Sequence, residues 1–508
     1  MTGKRSLQNA LLVSFSVLLT IVMAEAMVRW LDGLPIFADY LPSTVERDVT
    51  AAHVDDIQRA PGVSRDIFFS EPPPLPNRKP PPDEWVRWVR DLGEPPIWAT
   101  VAFRPAELFK AWNSEVAKAP CEHPLLKQAP GHIFTYRSQD GQDLPRFRFL
   151  PNATTPLNLV TNELGWRGPP VDVQRKPRTI RIVFVGASTT INSHYFAYSY
   201  PELVGHWLNV WAAQRRLDVR FEALNAGRES ASAADIEAIV RLEVMPLQSE
   251  LVVYYESAAK FDMSTLLKTL PTAKPQPPTP PPQETGLSRF LRDASYKSAL
   301  ARRLQAALGM LNSPGKGDEW PKPPYEVVWP AGLNEKDPDL TRSDLPMYLS
   351  DILRDVEKTR KTVTAGGGEF AVSTSLRFAR EGLVLDPVRN RLIIEHLNVA
   401  HHPFRYSDIE RMSQFRNRVF AKYAAQHDLM LFDIAGKMPQ APDLFSDAVH
   451  LAYGGVRLHA WIVLQQLVPV IEKKLASGAW PRPATPIAVP PGLLFKPDEV
   501  RLDCRARQ

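Results

Sequence analysis

Residues 179–190 read TIRIVFVGASTT. Thr179 to Val185 is a short run of β-branched and apolar residues, and Gly186 ends it. Such a run predicts a strand. Ala187, Ser188, Thr189 and Thr190 follow at the point where the strand delivers the chain to its carboxyl edge. In open α/β sheets that edge binds ligands. The helix expected next turns its first amides toward a developing anion. By itself, Gly-x-Ser-Thr after a strand is more often a tight turn with a helix cap.

Outward from this stretch the same pattern recurs. Val219–Leu224, Leu251–Tyr255, Phe370–Leu376 and Leu429–Ile434 read as four more strands. Helical patterns lie at about 200–215, 232–245, 343–364, 407–427 and 453–475. Strands alternating with helices imply a parallel sheet covered on both faces. The third and fourth strands are separated by a long insertion with a proline tract, PTAKPQPPTPPP at 271–282, which reads as a solvated polyproline-like linker. Ser288 to Leu311 reads as an amphipathic helix. A solvated helix packed on the domain is the favoured reading, and an Arg-rich face toward anionic lipid the alternative.

The chain has 508 residues, of which 44% are hydrophobic and 23% charged, and 61 Lys and Arg stand against 56 Asp and Glu, a net charge of +5. This excludes wholesale disorder, collagen and a polytopic membrane protein. No dense basic patch interleaved with aromatics occurs, so nucleic acid is not an expected partner. Proline, at 49 residues, is the anomaly. Much of it falls in residues 32–158, read as a Pro-rich linker and accessory region, with aromatics such as Trp85 and Trp88 as anchors.

Lys4 and Arg5 precede an almost wholly apolar run, Ala10 to Val28. As a helix this run spans roughly 28 Å, enough for a bilayer core. The basic lead places the remaining chain outside the cytoplasm. Glu25 and Arg29 are spaced to pair on one helix face. Ala24-Glu25-Ala26 also has the form of a signal-peptide cleavage site, but the length of the run favours a retained anchor. Cys121 and Cys504 are the two cysteines, and their pairing stays open.

Near the other end, Asp447-Ala448-Val449-His450 precedes Gly454-Gly455 and a helix. Asp and His three apart in a loop bring a carboxylate to one imidazole nitrogen and leave the other as a base. A serine hydroxyl needs such a base to attack a carbonyl at neutral pH. A loop with a capping Asp ahead of a helix is the alternative reading. Glu395, His396, His401 and His402 have no i, i+4 metal spacing and read as a loop of exposed histidines rather than a zinc site. No phosphate-binding loop or dinucleotide fingerprint is present, and neither metal nor organic cofactor is expected.

Taken together, Phe184-Val185-Gly186-Ala187-Ser188-Thr189-Thr190, Asn225-Ala226-Gly227 and Leu444-Phe445-Ser446-Asp447-Ala448-Val449-His450-Leu451 form an ordered set. In these blocks the chain resembles the SGNH/GDSL hydrolases, particularly membrane-anchored members of bacterial envelopes. Thr161-Asn162-Glu163-Leu164-Gly165-Trp166-Arg167-Gly168 is similar to the lead-in of such proteins. The resemblance implies an α/β class fold, three-layer α/β/α, with a flavodoxin-like parallel sheet in the order 2-1-3-4-5. It implies ester chemistry with Ser188 as nucleophile, His450 as base and Asp447 as its orienting carboxylate. The backbone amides of Ser188 and Gly227 would form the oxyanion hole. Alignment of the third-strand block puts Ala259 where the family carries an Asn donor, with Ser257 and Lys260 as possible substitutes. The expected organisation is an anchor at 1–31, the accessory region at 32–158, the hydrolase domain at 159–480 with its insertion at about 262–340, and a tail at 481–508. An acylated, principally O-acetylated, glycan at the outer side of the bacterial inner membrane is the expected partner. A non-catalytic glycan-binding relative is the alternative.

Overall fold

The computed structural model describes residues 2–31, 36, 51–80, 134–135, 144–145, 148–149, 151–154, 159–192, 196–229, 231–255, 261–269, 271, 273–275, 294, 298–308, 319–383, 385, 390–490 and 492–494. Five parallel strands form the sheet: β1 Thr179–Gly186, β2 Arg220–Asn225, β3 Leu251–Tyr255, β4 Glu369–Ser373 and β5 Met430–Phe432, in the order β2-β1-β3-β4-β5. Every residue of β1 and of β3 is buried, as strands covered on both faces require.

The covering helices are α2 Tyr200–Gln214, α3 Ala233–Ile239, α5 Leu349–Ala365, α6 Tyr406–Gln426 and α7 Tyr453–Ala476, while α1 Thr2–Leu31 and α4 Ala299–Ala307 lie outside the three layers. Adjacent tyrosines of β3 separate the two helical layers. The Tyr255 ring meets Tyr200 of α2 and His459 of α7, whereas Tyr254 stacks on Phe420 of α6. The α6 residue Tyr423 donates to Glu357 of α5 at 2.7 Å, and α5 packs against α3. The α2 start is a capping box. Glu202 accepts from the Ser199 amide at 2.7 Å, and Pro201 sits in the first turn, where its missing N–H is not needed.

Several boundaries differ from the sequence reading. The helix expected from 343 begins at Leu349, because Pro346 and the left-handed pair Met347 and Tyr348 (φ 58° and 56°) block earlier helical turns. The strand expected to reach Leu376 ends at Ser373: the Thr374 amide makes a last bond to the Phe432 carbonyl at 2.9 Å, and the Ser375 amide turns to Asn417 Oδ1 at 2.8 Å instead of to the ladder. The described part of the amphipathic segment is α4, and it packs on α1 rather than on the domain.

The accessory region is no separate unit where it is described. Residues 51–80 form a strap whose Val54, Ile57, Ile67 and Phe68 belong to the hydrophobic core of the sheet domain. Its Ser70 carbonyl accepts from Trp207 Nε1 at 3.0 Å, and Asn77 donates to the carbonyls of Thr161 and Gly168. Phe68 sits between Trp207 and Trp461, at 5.5 and 5.6 Å between centroids, with Arg457 over its ring. Phe68→Ala is expected to cost about 3–5 kcal/mol in denaturant unfolding of the whole domain. A change below ~1 kcal/mol would mean the strap is only laid on the surface. The tail is stitched in as well, since Trp480 is buried and Arg482 donates to the Ser249 carbonyl at 2.6 Å. Cys121, Cys504, Trp85, Trp88 and most of the proline tract lie outside the described residues.

Candidate active site

The strand-end glycine at 186 is dictated by close packing. A Cβ there would stand 2.1 Å from Thr190 Oγ1 and 2.2 Å from the Tyr255 carbonyl. Beyond it the chain makes one helical turn, Ser188–Ile191, which places Ser188, half-buried, at the carboxyl edge of β1. Ser188 is the first residue of that turn, so its amide has no intrahelical acceptor. The turn is held from its far end by Arg167 of the lead-in, whose guanidinium donates to the Ile191 carbonyl at 2.9 Å and the Asn192 carbonyl at 3.3 Å.

The glycine block ends β2 beside it. A Cβ on Gly227 would stand 2.7 Å from the Ile191 amide nitrogen, so the block lies directly against the turn carrying Ser188. Asn225 braces both: its Nδ2 donates to the Thr190 carbonyl at 2.9 Å, and its Oδ1 accepts from the Gly227 amide at 3.0 Å. The Gly227 N–H expected in the oxyanion hole is therefore already engaged with Asn225 in this structure.

The late block is a tight loop. The Ser446 amide donates to the His450 carbonyl at 2.8 Å, and Phe445 bridges Leu451. Asp447 Oδ1 accepts from the amides of Val449 and His450, both at 2.8 Å, which orients the carboxylate within its own turn. Asp447 Oδ2 lies 2.7 Å from His450 Nδ1, and His450 Nε2 lies 2.8 Å from Ser188 Oγ. With a carboxylate on Nδ1 that nitrogen carries the proton, and Nε2 accepts from the serine hydroxyl. Two stretches of chain 262 residues apart thus meet in one hydrogen-bonded line.

Burial works against an imidazolium at His450, but Asp447 outweighs it and raises the imidazole above its ordinary value. Burial likewise opposes the Asp447 charge, and His450 and His396 overcome it, holding the carboxyl well below the usual range.

The histidine cluster is not an exposed loop. His396 Nδ1 lies 3.4 Å from Asp447 Oδ1, and its ring stacks on the buried His401 at 5.1 Å between centroids. His401 in turn meets the buried Arg377, whose guanidinium covers the Phe261 ring at 3.8 Å. A second imidazole and a buried cation thus back the carboxylate. Residue types hinted at this group, but only folding turns the segment after Asn390 toward the Asp447 loop. Among the described residues no cluster of side chains could hold a metal ion. Ser257, Ala259 and Lys260 lie outside the described residues.

A serine at the end of the first strand, a glycine block at the end of its neighbour and Asp-x-x-His after the last strand sit on a sheet ordered 2-1-3-4-5. This is a three-layer α/β/α fold with a flavodoxin-like parallel sheet. Solved structures similar to it include an acetyl xylan esterase, at 12% identity over 57% of this chain and 100% of that one with a TM-score of 0.30. A GDSL-like lipase from Bacteroides thetaiotaomicron is 12% identical over 59% of this chain and 91% of its own, with a TM-score of 0.27. An acetylxylan esterase from Geobacillus stearothermophilus is 11% identical over 57% and 94%, with a TM-score of 0.30. No family profile and no curated protein matches the chain by sequence. Around this site, Arg167 and His396 are the positions whose roles the sequence did not disclose.

Proposed function

We propose that the chain is a serine esterase or O-acyltransferase acting on acyl esters, acetyl above all, of a glycan outside the cytoplasmic membrane. The observation that carries this reading is the line Ser188 Oγ, His450 Nε2, His450 Nδ1, Asp447 Oδ2 at 2.8 and 2.7 Å. Ser188 Oγ attacks the ester carbonyl while His450 takes its proton. The tetrahedral oxyanion forms beside the Ser188 amide, with the Gly227 amide shared between it and Asn225. His450 then protonates the departing sugar oxygen, which breaks the ester and leaves an acyl-serine. Water, or a second sugar hydroxyl deprotonated by His450, releases the acyl group and restores Ser188. The N-terminal apolar helix, with Leu11–Leu31 long enough to cross a bilayer, supports the extracytoplasmic, membrane-anchored setting.

The test is release of acetate from acetylated xylan, and of nitrophenol from an aryl acetate, by the full-length chain. Because His450 must be neutral to accept a proton, turnover should rise with pH through a midpoint above the ordinary imidazole value of about 6.5. A midpoint below that value would contradict the Asp447–His450 coupling.

A second reading, a non-catalytic glycan-binding relative, draws on two observations: the methyl side chain at Ala259 and the engaged Gly227 amide. Absence of turnover on both esters, together with no labelling by a fluorophosphonate, would favour it. If the oxyanion hole is only short of a donor, Ala259→Asn should raise turnover by about 10²–10³-fold. An unchanged rate would show that position 259 does not face the oxyanion.

A further inference from the structure

The helix α4, in the insertion between β3 and β4, is attached to α1 by an unusual junction. Glu25 of α1 places its carboxylate on the first turn of α4. Oε2 accepts from Ser298 Oγ at 2.7 Å and from the Leu300 amide at 2.9 Å, and Oε1 accepts from the Ala299 amide at 2.9 Å. Arg29 closes the group, with Nε 2.6 Å from Glu25 Oε1. Ala299 is buried against Val28. A carboxylate on an apolar helix is costly in lipid unless paired, and here its oxygens are saturated by amides, a hydroxyl and a guanidinium. At a rise of 1.5 Å per residue, Glu25 stands about 5 Å before the end of the apolar run at Val28. That is the depth of a headgroup boundary rather than of the bilayer centre.

From this junction α4 leads away with an apolar edge that no part of the described chain covers. Leu304 and Leu308, one helical turn apart and so on one face, are 53% and 70% exposed. Met27, Trp30 and Leu31 at the adjoining end of α1 are exposed as well. Tryptophan at the end of a span is an interfacial anchor. An apolar face joined end to end with a membrane-length apolar helix fits one occupant, the phospholipid surface.

We infer that α4 is an interfacial helix, docked to the outer end of α1 through Glu25, with Leu304 and Leu308 set in the headgroup–acyl boundary. This rests on the reading of α1 as a membrane span. It gives the sheet domain a second attachment to the bilayer, through the insertion whose beginning, Phe261 and Leu266, lies in the core. The apolar contribution scales with buried area, so a helix this short needs the Glu25 junction to stay in place.

The experiment uses the full chain, with Cys121 and Cys504 replaced by Ser, in vesicles of phosphatidylcholine and phosphatidylglycerol. An environment-sensitive fluorophore is placed on Leu308→Cys, on Leu18→Cys inside α1, or on Lys361→Cys of α5. Quenching by lipids doxyl-labelled near the headgroup should be at least threefold stronger at 308 than at 361, and lipids doxyl-labelled near the end of the acyl chain should quench 18 strongly. Glu25→Ala should bring 308 down to the level of 361 while leaving 18 quenched. If 308 is no more quenched than 361 while 18 is strongly quenched, α1 spans the bilayer and the inference about α4 is wrong. If 18 is not quenched either, the span itself is refuted and the inference falls with it. Energy transfer between two 308-labelled copies without lipid quenching would show that a second copy covers the face, and would overturn the inference.

Discussion

Ser188→Ala is expected to abolish covalent labelling by a fluorophosphonate and to lower ester turnover by about 10⁶-fold, with His450→Ala close behind. The size follows from the geometry. Among the described residues the base within reach of the hydroxyl is His450 Nε2 at 2.8 Å, and without a base the serine remains an unreactive alcohol. Asp447→Asn should cost less, about 10⁴-fold. Its amide oxygen can still accept from the Val449 and His450 amides, so the loop keeps its shape. The other amide atom no longer offers a charged acceptor to His450 Nδ1, and the imidazole loses its tautomer and its raised basicity. The double variant Ser188→Ala with His450→Ala should be no slower than either single one, since the two side chains act as one unit. Labelling that survives in Ser188→Ala would place the nucleophile elsewhere. Turnover within tenfold of the parent in His450→Ala would remove the base from the mechanism.

The second large effect is on stability. Glu243 is fully buried and is the shared carboxylate of Arg148 and Arg228, while also accepting from Trp166 Nε1 at 2.8 Å. Arg148 also donates to the carbonyls of Gly492 and Leu493 at 2.7 and 3.0 Å, and the Arg228 amide donates to the Gly186 carbonyl at 3.1 Å. One carboxylate therefore joins the tail, the lead-in and the glycine block. Glu243→Ala leaves two guanidinium groups facing each other in a dry interior, and should cost about 3–5 kcal/mol in denaturant unfolding. Burial disfavours the charge on Glu243, but the two arginines prevail and depress its pKa. Its contribution is thus complete above the ordinary carboxyl value of about 4.3 and is lost as the pH falls through the depressed folded-state value. Acid unfolding of the parent should be steeper than that of Glu243→Ala in this range. Equal pH dependence would show that the carboxylate is not the charged partner of the pair.

By itself the sequence determined what depends on near neighbours. Apolar runs such as Ile180–Val185 and Leu251–Tyr255 are short and end in glycine or polar residues, so the strands were legible to within about a turn. Asp447 and His450 are three apart, and a hydrogen bond across so short a loop follows from the chain's own reach. Ser188 and Gly227 were legible as strand-end residues because strand ends are where a parallel sheet collects its chemistry. Only the tertiary structure decided which groups stand behind Asp447, because His396, His401 and Arg377 arrive from segments with no local pattern of their own. It also decided that residues 51–80 belong to the core and that the Gly227 amide leans on Asn225. Contacts between residues far apart in the chain are set by how whole layers pack, and that packing leaves no period for a reader of the sequence to find.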